Sequence, residues 1–192
     1  STPASPETDG PRGLFCVPES TYLLSHSVGL LPRATRSWAE SHLLETWATT
    51  PSEAWPSWLI EIDGFLAALG KLFNHQPAWF CPQTNVSAAA TKVLHALPAR
   101  ADKPTILLSE DAFPSLGFVS EKAAALGFKV KLIERSLDQQ DLDVWAQHMT
   151  PDVGVVIVTH VHSNTGELIP TQPIVDMARE RDTWSIVDVA QS

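Results

Sequence analysis

Two short apolar runs near the end of the chain constrain the fold most. Val153–Val158 and Trp184–Val189 are rich in β-branched residues, and each has the length of a strand buried on both faces of a sheet. A helical segment starting near Thr171–Pro173 separates them, and proline inside a first turn is a helix-start signal. Strand, helix, strand with buried runs implies a parallel pair joined by a crossover. Both runs turn polar at their C-terminal ends: Thr159, His160 and His162 follow the first, while Asp188 and Gln191 close the second. In open parallel sheets those ends are where ligands bind. A carboxylate there is costly without a cationic or hydrogen-bonding partner, so Asp188 asks for one.

The same alternation extends upstream. Ala78–Cys81 reads as a short strand, followed by a helix with Val86, Ala89, Ala90, Val93, Leu94 and Leu97 on one stripe, stopped by Pro98. Thr84 stands where a cap is expected, at a helix N-terminus of the kind that suits a phosphate. Thr105–Glu110 is the next strand, then a helix running to Leu126 with Gly127 as its stop, a strand at Phe128–Ile133, and a helix from Asp141 to Met149. Before these the pattern is helical, over about Arg33–Thr49 and Ser57–Phe73, with Pro51 and Pro56 between. Four of the seven tryptophans fall between Trp38 and Trp58, a cluster expected to pack a core or a subunit interface. The fold class is therefore α/β, a mostly parallel sheet with helices on both faces. Residues 1–13 read as a mobile tail, 14–56 as an N-terminal helical or small-domain segment, and 57–192 as the first part of a large domain.

Composition bounds the function. A net charge of −9 with no basic cluster argues against nucleic acid or an anionic membrane as partner, and no apolar run approaches a membrane span. Two cysteines, Cys16 and Cys81, without a C-x-x-C fit a reducing, cytoplasmic compartment. His160 and His162 form an H-x-H pair without the third ligand that a zinc site needs, so no metal is expected. Dinucleotide, P-loop and nucleophile-elbow motifs are missing from the sequence.

T-H-V-H-S-N-T-G-E-L-I-P followed by I-V-D-V-A-Q-S resembles the class V aminotransferase group of fold-type I pyridoxal-phosphate enzymes, kynureninases in particular, over about Tyr22–Ser192. The resemblance implies an incomplete large domain of that fold, a pyridoxal 5'-phosphate cofactor, an amino-acid substrate engaged through an external aldimine, and a homodimer. It also implies roles. Asp188 would keep the pyridine nitrogen protonated, which strengthens the ring as an electron sink. Gln191 would approach the phenolic oxygen, Phe113 would stack on the ring, Thr159 and His162 would flank it, and Gln83 and Thr84 would hold the phosphate. Asp188 and His162 are the expected catalytic pair. Two positions depart from kynureninases, which carry Asp at the place of Leu116 and His at that of Gln191. The departures bring cysteine desulfurase-like or epimerase-like chemistry within reach. Lys71, Lys92, Lys103, Lys122, Lys129 and Lys131 all precede Asp188, and none has the family's Schiff-base context. That lysine and the substrate-carboxylate arginine are expected downstream, in a longer polypeptide. A non-catalytic, partner-binding fragment is the contrasting expectation.

Overall fold

A computed structural model describes residues 10–98 and 100–192, so most of the expected tail, residues 1–9, lies outside the described residues. The chain forms two compact units, Ser1–Pro82 and Gln83–Ser192.

The first unit is helical. A 3-10 turn at Gly10–Leu14 leads to α1 (Arg33–Ala39), a π-helical turn at Glu40–Leu44, α2 (Glu45–Thr49) and α3 (Ala54–Leu72). Trp38 stacks on His42 with centroids 3.9 Å apart and donates from its indole N–H to Glu61 at 3.0 Å. Trp58 meets Trp47 and Trp55 edge-on. These rings do not close a core within the unit: Trp38, Trp47 and Trp55 stay exposed, and α3 buries only Ala54 and Gly70. The strand expected at Ala78–Cys81 is replaced by a 3-10 turn, Pro77–Trp79, and then extended chain. The fixed φ of Pro77 starts the turn, and no strand pairs with Phe80 and Cys81 among the described residues.

The second unit is the α/β body. Its elements are α4 (Val86–Ala96), β1 (Thr105–Ser109), α5 (Pro114–Lys122), β2 (Lys129–Ile133), α6 (Leu142–His148), β3 (Val153–Thr159), α7 (Thr171–Glu180) and β4 (Trp184–Asp188). All strand pairings are parallel, in the order β2-β1-β3-β4. Side chains alternate across the sheet and build two cores. Ile106, Leu108, Val155 and Ile157 pack with Ala90 and Leu94 of α4, Leu116 of α5, and Ala123 and Phe128. On the other face Leu107, Val153, Val156 and Val158 pack with Trp145 of α6 and with Ile174 and Ala178 of α7. Each aliphatic chain so buried contributes about 1.5–3 kcal/mol, so β1 and β3, buried along their whole lengths, anchor the sheet.

Local signals explain the ends of several elements. Asp141 caps α6 by accepting from the N–H of Asp143 at 2.9 Å. Gly127, at φ 92°, takes the left-handed turn into β2. Asn85, not Thr84, caps α4: its side chain accepts from the N–H of Ala88 at 2.8 Å. Asn85 has the extended backbone that a cap position requires. The second apolar run also differs from its expected burial. In β4 Trp184 is 57% and Val187 36% exposed, because β4 is the sheet's edge and pairs only with β3 among the described residues.

Candidate active site

The order of connections sets where a site can form. From β1 the chain steps to β2 on one side, then crosses back to β3 and β4 on the other. The direction reverses between β1 and β3, and a crevice opens at such a reversal beyond the C-terminal ends of the strands. A cavity of about 260 Å³ lies there, near the small end of ligand pockets, which run from about 300 Å³ upward.

Four groups of residues line it. Asn85, Val86 and Ser87 come from the start of α4, and Phe113 and Ser115 from the turn between β1 and α5. Thr159, Val161 and Ser163 follow β3, and Asp188, Ala190 and Gln191 follow β4. Phe113 occupies the cap position of α5, with Pro114 at the first helical position, and its ring is half exposed. Thr159 is 5% exposed and its hydroxyl has no hydrogen-bond partner among the described residues. Asp188 accepts the N–H of Ala190 at 3.0 Å, its backbone carbonyl accepts the N–H of His160 at 2.9 Å, and no cation pairs with its carboxylate among the described residues. At the far wall the N–H groups of Ala88 and Ala89 are bound to Asn85, which leaves those of Val86 and Ser87 at the helix start.

Of the seven residues singled out from the sequence, Phe113, Thr159, Asp188 and Gln191 line this cavity. Gln83 and Thr84 immediately precede its helical wall, and the side-chain oxygen of Gln83 accepts from Lys92. His162 is 1% exposed and is not part of the lining. Its Nδ1 lies 3.4 Å from a carboxylate oxygen of Glu167, without hydrogen-bond alignment. His160 goes elsewhere: it borders a separate groove with Leu168, Pro170 and Val187, and its Nδ1 is 2.6 Å from the hydroxyl of Ser192. The H-x-H pair is thus split between two environments. Among the described residues no group of three or more His, Cys, Asp or Glu could hold a metal ion, and no helix is long and apolar enough to cross a membrane.

The loop after β3 carries most of the T-H-V-H-S-N-T-G-E motif. It doubles back through an antiparallel bridge between Val161 and Leu168, with Gly166 at φ 74° in the turn. Sequence reading passed over Asp111, the residue that ties this loop down. Its carboxylate is 6% exposed and accepts from Arg135 Nε at 2.7 Å, Asn164 Nδ2 at 3.1 Å and Gln139 Nε2 at 3.4 Å. A buried carboxylate persists only when it is paired and hydrogen-bonded, as this one is. No fixed spacing links partners so distant in sequence; the only local signal was an acidic pair, Glu110–Asp111, directly after a buried strand.

Comparison with known proteins agrees with this architecture. Kynureninase of Deinococcus radiodurans is 29% identical to this chain over 191 residues, covering 94% of the chain and 45% of the relative. Kynureninase of Xanthomonas oryzae pv. oryzae is 27% identical over 194 residues, covering 91% and 44%. The chain thus spans less than half the length of these relatives. Among solved structures, a mutant of C-DES with glycine covalently linked to the PLP cofactor superposes with a TM-score of 0.77 at 24% identity, over 87% of this chain and 46% of that one. DndA from Streptomyces lividans gives 0.68 at 17%, over 84% and 47%. These likenesses identify the fold as a partial domain of the kind seen in C-DES. The family described as aminotransferase class-V matches residues 84–192, more than half of the sequence and all but the first residue of the cavity-bearing body. The chain belongs to the class V aminotransferase family.

Proposed function

We propose that the complete protein is a pyridoxal-phosphate-dependent enzyme acting on an amino acid. One observation carries the reading: Asp188, a carboxylate with no cation paired to it among the described residues, shares a single cavity with the start of α4, about a hundred residues earlier in the chain. An acceptor at one wall and helix N–H groups at another complement a molecule with a protonated ring nitrogen and a phosphate. Thr159 adds a buried hydroxyl with no partner among the described residues, and the half-exposed ring of Phe113 adds an apolar face. The donor and acceptor set fits the cofactor.

The roles follow from those positions. Asp188 holds a proton on the ring nitrogen, and Phe113 covers one face of the ring. The Thr159 hydroxyl and the Gln191 amide orient the ring's polar edge. The amides at the start of α4, with Gln83 and Thr84 beside them, hold the phosphate. His162 acts from behind the wall through the backbone of its loop. Bound pyridoxal phosphate supplies an electron-withdrawing ring that stabilises negative charge on an amino acid's α-carbon. Among the described residues no lysine lines the cavity, and we assign the cofactor-bearing lysine and the arginine for the substrate carboxylate to the remainder of the complete protein. A cytoplasmic homodimer belongs to the same proposal.

Kynurenine hydrolysis is one outcome, supported by the kynureninase relatives. A second reading, carbon–sulfur chemistry of the desulfurase or C–S lyase kind, or epimerisation, is favoured by two residues. Leu116 is 1% exposed within the core, so no polar group stands at that position, and Gln191 lines the cavity where kynureninases carry His. The test uses the complete protein incubated with pyridoxal phosphate and then desalted. A retained absorbance band in the visible or near-ultraviolet is expected, followed by loss of either kynurenine or cysteine when each is offered. Protein that stays colourless overturns the enzyme reading in favour of a non-catalytic, partner-binding one.

A further inference from the structure

We infer that Asp111 is a positioning residue: its buried carboxylate fixes the spacing between the two cavity walls that carry Phe113 and Ser163. Asp111 leaves β1 just before Phe113, and its backbone N–H is pinned to the hydroxyl of Ser109 at 2.8 Å. Its two carboxylate oxygens then gather donors from two other loops. Asn164, next to Ser163 and in the loop after β3, donates to Oδ1 at 3.1 Å. From the connection after β2, Arg135 Nε donates to Oδ1 at 2.7 Å and Gln139 Nε2 to Oδ2 at 3.4 Å. Arg135 is further held by its own N–H on the Glu110 carboxylate at 2.9 Å and by Nη2 on the Glu110 carbonyl at 3.3 Å. The carbonyl of Gln139 accepts the indole N–H of Trp145 at 2.8 Å, which anchors that arm to the core.

Three loops at the ends of β1, β2 and β3 therefore meet on one side chain. None of these bonds lies within a helix or a strand pairing, so they hold loop against loop rather than build the sheet. Removing one donor leaves a buried charge short of a partner, which loosens all arms together. The groups that would feel it are Phe113 and Ser115 on one wall and Val161 and Ser163 on the other, all lining the cavity. The consequence for cofactor binding rests on the function proposed above; the clamp itself does not.

The experiment compares the complete wild-type protein with Asn164→Ala and Asp111→Asn. Hydrogen–deuterium exchange is followed in peptides covering 110–116, 160–169 and 153–158, and pyridoxal phosphate affinity is measured by absorbance titration. Losing one hydrogen bond to a charged group should speed exchange roughly tenfold at 110–116 and 160–169, leave 153–158 unchanged, and raise the cofactor Kd by about the same factor. Should Asp111→Asn fail to fold, Asn164→Ala carries the test, because it removes only a peripheral arm. Wild-type exchange in both loops, or equal acceleration at 153–158, overturns the clamp. Normal cofactor affinity in a variant with loosened loops overturns its positioning role. A wild-type protein that takes up no cofactor sinks the functional reading instead, and the exchange comparison still decides the clamp.

Discussion

Thr159 and Asp188 are register partners, the last paired residues of β3 and β4. In a parallel pair such partners point to the same side of the sheet, and both line the cavity beyond the strand ends. A buried hydroxyl without a hydrogen-bond partner and a carboxylate without a cation, both among the described residues, thereby stand next to each other. This pairing makes the two side chains behave differently from ordinary sheet residues when either is changed.

For Asp188 the expected effect is on binding and turnover, not folding. Asp188→Asn keeps the shape but loses the charge that would hold the ring nitrogen's proton. A hydrogen bond to a charged group contributes about 1.5–3 kcal/mol, so cofactor affinity should fall roughly ten- to hundred-fold. Turnover should fall at least as far, with little change in the urea midpoint. Unaltered activity in the complete Asp188→Ala protein would remove the residue from its assigned role.

Thr159→Val should separate stability from function. The Thr159 hydroxyl is buried without a partner among the described residues, a burden of about 1–3 kcal/mol. Valine relieves it, so the cofactor-free protein should gain about 1 kcal/mol in urea titrations while the cofactor Kd rises. A valine variant that is less stable and binds normally would contradict the assignment.

Phe113 is half exposed on the cavity wall, so its ring contributes little to the core. Phe113→Leu should leave the melting temperature nearly unchanged. Loss of an aromatic stacking contact, about 0.5–1.5 kcal/mol, should weaken cofactor binding roughly two- to ten-fold, and Phe113→Tyr should restore it. Equal affinity in the leucine variant would show that the ring is not a binding surface.

Gly154 exists for a backbone reason. The register between β1 and β3 shifts between Thr105 and Ile106, and a Cβ on Gly154 would meet the Lys103 carbonyl oxygen at 2.2 Å. Backbone cannot move aside as a side chain can, so Gly154→Ala should cost about 1–3 kcal/mol or more. Gly117 is the contrast: it sits inside α5 with nothing within 4 Å of its would-be Cβ. Gly117→Ala should gain about 0.5–1 kcal/mol from helix propensity. Denaturant midpoints of the two variants should move in opposite directions.

How much of this is legible in the sequence depends on how local each cause is. The run Val153–Val158 announced a doubly buried strand because its own side chains fill both cores. The run Trp184–Val189 looks the same, but whether a strand is central or at an edge is decided by its neighbours, and β4 has one among the described residues. Ala78–Cys81 reads as a strand but is not one, because a few apolar residues suit a 3-10 turn equally and Pro77 tipped it. Thr84 and Asn85 are both cap-forming residue types, and only the backbone path into α4 chose between them. Phe113, Thr159, Asp188 and Gln191 could be picked out because strand ends and a family motif mark them. Asp111 could not, since its donors lie 24 to 53 residues away.

Arg100 provides the pH test. At the opposite end of the sheet from the cavity it donates to Asp182 and to Asp102, and Lys103 donates to the Asp182 carbonyl. The Arg100 hydrogen bonds, with its positive charge, hold both carboxyls below their ordinary range and raise the guanidinium in turn. A carboxyl whose folded pKa is depressed stabilises the fold above its unfolded pKa, about 3.9 for Asp, and that contribution disappears as pH falls through the lowered folded value. Arg100→Gln should therefore be less stable than wild type at neutral pH, and the difference should persist down to about pH 4–5. Below that it should shrink and vanish, because both proteins then carry protonated aspartates. Since the groups are exposed, salt should also reduce the difference. Urea midpoints measured across that range, at low and high salt, check both claims. A difference that grows on acidification would mean that Arg100 acts through something other than these two carboxylates.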